Sequence, residues 1–131
     1  MRLTFAPVRG LLAELPLLRI QTAEALVHVR LNRPAKRNAI NDALVAQLHT
    51  VFVNLPEEAR AVIISGEGDH LCAGLDLSEL GERSRFEGVA HSRSWHATMD
   101  AVQFGPVPVV AVLQGAVVGG GLELAAAPTS A

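Results

Sequence analysis

The chain has 131 residues, of which 50% are hydrophobic and 18% charged, with a formal net charge of −2. That length gives one domain with room to bury its own core without disulfides or metals. The high apolar content excludes a disordered or fibrous chain, and the small net charge excludes recruitment of nucleic acid or an anionic membrane by a global field.

Residues 1–17 show no clear periodicity and contain Pro7, Gly10 and Pro16, so they read as an arm leading into a domain that spans residues 18–131. Arg9, Glu14 and Pro16 interrupt the short apolar stretch near the start, which fits neither a signal peptide nor a membrane span. An extended segment begins at Ile20. In "ALVHVRL" (25–31), Ala25, Val27, Val29 and Leu31 alternate with Leu26, His28 and Arg30, the period of a strand, and the two segments form a hairpin turning near Ala23 and Glu24. "NRPAKR" breaks the pattern, because Pro34 lacks an N–H and biases Arg33 away from helix.

Asn41 or Asp42 can then cap a helix that places Leu44, Leu48, Val51, Phe52 and Leu55 on one face and stops at Pro56. "RAVIISG" (60–66) and "VPVVAVLQG" (107–115) are β-branched runs closed by glycine and read as buried strands. The mixed-charge stretch between them, from Asp76 to Phe104, carries helical spacing and is expected to form two helices with a joint around Gly81 to Gly88. Strands alternating with helices imply an α/β fold. Cys72, the only cysteine, cannot form an internal disulfide. It fits a reducing, cytoplasmic setting, and in "HLCAG" it reads as a small buried apolar residue.

Each buried strand is followed by a glycine-containing turn, "SGEGDHLCAGLDL" after the first and "QGAVVGGGLEL" after the second. Glycine lets backbone N–H groups point into a cavity and lets a ligand approach closely, and a helix starting there adds the positive end of its dipole. Two such turns side by side can each offer one N–H to a single oxygen, an oxyanion hole. Other glycine motifs fail on particular residues. Gly66 and Gly68 fit a dinucleotide fingerprint, but Leu71 stands where its third glycine belongs. A phosphate loop needs Lys and Ser/Thr after the run, where this chain has Leu122 and Glu123. G-x-S-x-G and H-E-x-x-H are absent, His91 and His96 lack a metal-ligand spacing, and the five histidines read as surface or helix-filling residues. No metal site is expected.

"LNRPAKRNAIN", "GEGDHLCAGLDLSEL" and "PVVAVLQGAVVGGGLELAAA", in that order and spacing, resemble the crotonase superfamily of enoyl-CoA hydratases and isomerases. The resemblance covers about residues 18–127 and matches only the N-terminal half of a family member. It implies a crotonase-like (ClpP/crotonase) spiral of β-β-α units, truncated before the C-terminal helical part. It further implies an acyl-CoA thioester substrate, with coenzyme A entering as part of that substrate and no separate cofactor. The oxyanion donors it implies are the backbone N–H groups of Leu75 and Gly120, and the acid/base is Glu123. Ala35, Lys36, Arg37 and Ala39 fall in the loop that would cradle the adenine and phosphate end, while Ala73, Leu75, Asp76 and Leu77 fall along the pantetheine path. On spacing alone, Arg30, Arg33, Lys36 and Arg37 favour a solvated basic face over a phosphate site, and Asp76 has an alternative as a helix cap. A full-length form would assemble as a homotrimer or hexamer, with no nucleic-acid or membrane partner.

Among apolar neighbours Val117, Val118, Leu122 and Leu124, the Glu123 carboxylate is expected to lose hydration, with the helix N-terminus acting in the opposite sense. Hydratases of the family use two glutamates, and this chain carries a match only to the first. An isomerase can work with one shuttling carboxylate, and related decarboxylases, hydrolases and dehalogenases share the oxyanion hole, so the reaction subclass stays open. The rival readings are a non-catalytic acyl-CoA-binding remnant and a nucleotide-binding α/β module, the latter opposed by the charge of Glu123.

Where a family member continues from "GGGLELAAA" with a polar residue, Ile and Arg, this chain reads "PTSA". The codons CCN ACA TCC GCG for that tetrapeptide contain, in another frame, NAC ATC CGC, which restores Ile-Arg. A frameshifted, truncated member of the family is therefore an expectation, one that absence of family coding downstream in the gene would reject.

Overall fold

Val27, Val29 and Leu31 alternate with His28 and Arg30, and the computed structural model turns the first set inward, leaving them 1%, 0% and 0% exposed. It describes residues 3–76 and 85–127. This strand, β3 (Leu26–Leu31), lies at the centre of a five-stranded sheet with β1 (Ala6–Pro7), β2 (Leu18–Ala23), β4 (Ala61–Gly66) and β5 (Val109–Ala111), ordered β1-β2-β3-β4-β5. The hairpin β2–β3 is antiparallel, with Leu18 opposite Leu31 and Ala23 opposite Leu26, and it turns at Glu24, whose φ is +52°. The arm adds β1, antiparallel to β2, and a short 3₁₀ turn, Gly10–Glu14, that buries Leu12.

β4 and β5 join β3 in parallel, as connections through helices require. Helix α1 (Asp42–Val53) begins where the sequence places it, with the Asn41 side chain accepting a hydrogen bond from the Leu44 N–H. Its Leu44, Val45, Leu48, Val51 and Phe52 join the inward residues of β2, β3 and β4 in one buried cluster, and α1 lies against β2 and against α2 (Arg85–Gln103). Each fully buried Val or Leu contributes about 1.5–3 kcal/mol, which makes this layer the main source of stability. Of the Asp76–Phe104 stretch, the expected first helix and the start of the joint at Gly81 fall outside the described residues, while Gly88, the expected end of the joint, lies within the continuous helix α2. No helix among those described is long and apolar enough to cross a membrane.

β5 is shorter than the run 107–115 because the chain leaves the sheet after Ala111. Segments that follow β3, β4 and β5 instead build a second, crossing layer. Ile40 bridges Leu75 in parallel, and Cys72 bridges Val117 in parallel. Three successive units therefore run from a sheet strand to a short second-layer segment, and two of them continue directly into α1 and α3 (Gly120–Ala126). This is the β-β-α spiral expected from the sequence, and it gathers the second-layer segments and the starts of two helices in one place.

Candidate active site

The second layer fixes which way the Leu75 amide points. In its bridge, Ile40 N–H donates to the Gly74 carbonyl at 2.7 Å and Asp76 N–H donates to the Ile40 carbonyl at 2.8 Å. Both partners of Ile40 flank Leu75, so the N–H of Leu75 faces the opposite side. On that side runs the segment 116–118, held by Cys72 N–H to Ala116 carbonyl at 3.1 Å and Val118 N–H to Cys72 carbonyl at 3.2 Å. Gly120 follows at once as the first residue of α3.

The two turns touch. A Cβ at Gly74, whose φ is +97°, would stand 3.0 Å from the Val118 carbonyl oxygen and 3.9 Å from the Gly120 nitrogen. Glycine is thus needed at 74 for both its left-handed backbone and its contact. At Gly121 a Cβ would collide with the Cys72 carbonyl oxygen, so the last glycine of the triplet lets α3 lie directly on the second layer.

Leu75, Gly120 and Glu123 line one cavity of about 210 Å³, together with His91, Ser92 and Trp95 of α2. The Trp95 indole Nε1–H donates to Glu123 Oε2 at 2.5 Å and leaves Oε1 for a ligand. The structure differs from the sequence expectation in the surroundings of this carboxylate. Glu123 is exposed, and so are Val118 and Leu122, because α3 turns Gly121, Leu124 and Ala125 to the core and carries these residues on its outer side.

The expected coenzyme loop contains a 3₁₀ turn, Pro34–Lys36, followed by Arg37 and Asn38 at φ +52° and +57°. Ala35, Lys36 and Arg37 are exposed, Ala39 half-buried. Asn38, which sequence reasoning did not single out, is fully buried and locks the loop: it accepts from Arg33 N–H at 2.8 Å and donates to the carbonyls of Glu67 and His70 at 3.0 and 2.7 Å. Arg33 reaches Asp76 at 3.0 Å and the Ala39 carbonyl at 2.6 Å, so Asp76, 9% exposed, tethers the loop to the second layer. Arg30 pairs with Glu67 at 3.2 Å. Of the four basic residues, Lys36 and Arg37 have no ion-pair partner among the described residues. Ala73 is half-buried and donates its N–H to the Arg37 carbonyl at 3.0 Å, while Leu77 lies outside the described residues.

Cys72 is fully buried, and burial pushes its thiol above the ordinary range against an opposing hydrogen bond from the Gly74 backbone. It behaves as packing, as its sequence context indicates. Among the described residues no group of His, Cys, Asp and Glu could hold a metal ion. His91, Ser92 and Trp95 are described cavity residues that the sequence did not single out, and of these His91 and Trp95 make the polar contacts. Their i, i+4 spacing puts them on one face of α2, a signal that only gains meaning once that face is known to meet Glu123.

Residues 21–128 match the family described as enoyl-CoA hydratase/isomerase. The protein assigned as enoyl-CoA hydratase echA6 in Mycobacterium tuberculosis is 37% identical over 107 residues, covering 81% of this chain and 42% of that protein. Human mitochondrial Delta(3,5)-Delta(2,4)-dienoyl-CoA isomerase is 34% identical over 125 residues, covering 84% of this chain and 38% of the isomerase. A solved structure from Rhodopseudomonas palustris, assigned as an enoyl-CoA hydratase, superposes with a TM-score of 0.84 at 49% identity, covering 92% of this chain and 47% of that one. The chain thus spans less than half the length of these relatives.

Proposed function

The chain belongs to the enoyl-CoA hydratase/isomerase family, and on that premise we propose that its cavity binds an acyl-CoA thioester and stabilises the enolate that forms from it. The Leu75 and Gly120 N–H groups receive the thioester oxygen, and Glu123 moves a proton at the acyl chain. The observation that carries this reading is the meeting of Leu75 from one glycine turn with Gly120 and Glu123 from the other around one cavity of about 210 Å³. Each donor aimed at a developing oxyanion supplies about 2.7–4 kcal/mol of transition-state stabilisation. Lys36 and Arg37, exposed and without an ion-pair partner among the described residues, supply the positive charge for the coenzyme phosphates. No cofactor is called on beyond the coenzyme A of the substrate. The full-length form is read as a cytoplasmic homotrimer or hexamer.

The test is incubation with crotonyl-CoA while following loss of the conjugated thioester absorbance. Turnover that falls at least about 100-fold in Glu123→Gln is expected, the usual scale for removing a positioned acid/base. A second reading, an acyl-CoA-binding protein without turnover, draws support from the exposure of Glu123. Crotonyl-CoA binding that is unaffected by Glu123→Gln, with no absorbance change, would establish it instead.

A further inference from the structure

Adding water across a C2=C3 bond needs two proton carriers, one to take a proton as oxygen bonds C3 and one to give a proton to C2. Of the described side chains lining the cavity, Ser92 and Trp95 cannot exchange a proton readily near neutral pH, and Leu75 and Gly120 present none. That leaves Glu123 and His91. The His91 ring is held in place by a carboxylate: its Nδ1 lies 2.6 Å from Oδ1 of Asp42, the first residue of α1, and its side chain is 24% exposed. One ring nitrogen is engaged by the carboxylate and Nε2 is left for a ligand. Trp95, one turn along the same face, holds the other proton carrier through Glu123 Oε2.

Resting on the enolate-stabilising reading above, we propose that His91, positioned by Asp42, acts beside Glu123 as a second acid/base of this cavity, a carboxylate–imidazole pair for hydration of an enoyl-CoA. Glu123 Oε1 takes a proton as the water O–H bond breaks and the O–C3 bond forms. The C2=C3 π pair moves into the thioester carbonyl and returns to form C2–H with the proton released from the His91 imidazolium Nε2. Solvent then removes the proton from Glu123 and restores one to His91, and the cycle is balanced. Among the described residues, the charged groups placed beside His91 are Asp42 from α1, bonded to its ring, and Glu123 from α3, which shares its cavity, with Glu87 four residues earlier on its own helix. His91 is a catalytic residue in this scheme and Asp42 a positioning residue.

Two readouts on the 131-residue chain test it. In the crotonyl-CoA assay, His91→Ala is expected to lower kcat at least about 100-fold with KM little changed, and added imidazole to restore part of it. Asp42→Asn should lower kcat less than His91→Ala, without imidazole rescue. In ¹⁵N-histidine spectra, crotonyl-CoA but not free coenzyme A should shift the His91 Nε2 resonance, a response that does not depend on turnover or on a variant folding. Glu123-dependent turnover with unchanged His91→Ala kinetics and an unmoved His91 resonance overturns the pair alone. A chain that neither binds nor converts crotonyl-CoA overturns the enolate reading, and the pair with it.

Discussion

His28 and Glu67 show how single residues on the far face of the sheet set the response of the fold to acid. His28 Nε2 sits 2.6 Å from Ser65 Oγ, and Glu67 pairs with Arg19 at 3.0 Å and Arg30 at 3.2 Å. Burial, then the charge of Arg30, lowers the His28 pKa below its ordinary 6.5, against the pull of Glu67. For Glu67, burial acts upward, but the hydrogen bonds and charges of Arg19 and Arg30 outweigh it and hold the carboxyl below its ordinary 4.5. In both cases the unfolded chain binds protons more readily than the folded one, so stability is complete above the ordinary value and is lost as pH falls toward the lowered one. Melting temperature should therefore decline in two steps on acidification, the first starting near pH 6.5 and the second near pH 4.5. His28→Gln should flatten the first step and Glu67→Gln the second; a melting temperature that holds or rises below pH 6.5 contradicts this assignment.

At the scale of elements, the local signals were legible and the contacts between elements were not. Alternation in Leu26–Leu31, the Asn41 cap and the apolar face of α1 could be read from the chain because each is a nearest-neighbour effect. The early exit of β5 could not, since Val112 and Leu113 continue the apolar run of the strand, while Gln114 and Ala116 accept hydrogen bonds from residues 71 and 72 instead of pairing in the sheet. The glycine triplet was legible as a site, but the reason for its last member was not, because Gly121 answers to the distant Cys72 carbonyl. Gly121→Ala should destabilise the fold by about 1–3 kcal/mol, the usual penalty for overpacking, since backbone must move on one side of the contact. Chemical denaturation measures it, and a variant as stable as the parent would show that α3 is not seated on the second layer. Likewise Leu75, Gly120 and Glu123, which the motif singles out, line one cavity, whereas its other described lining residues, His91, Ser92 and Trp95, gave no such signal, because nothing near them in a mixed-charge helix tells which face meets α3.

Taken whole, the molecule presents its site and an open flank together. β5 is the last strand of the sheet, and its neighbours Val112 and Leu113 are 45% and 54% exposed, as are Val118 and Leu122 of the α3 region at 57% and 58%. An edge strand bordered by exposed apolar residues invites association. The two glycine turns that carry Leu75 and Gly120 lie in the second layer, away from β5, and are tied by hydrogen bonds from Cys72 and Ile40. The most direct measurement is an amide ¹H–¹⁵N titration with acetoacetyl-CoA, a thioester that can present an enolate oxygen, compared with free coenzyme A. The Leu75 and Gly120 amide protons should move downfield together, with one affinity, for the thioester alone. Movement of only one of them, or equal movement with free coenzyme A, would mean that the two amides do not share an oxygen.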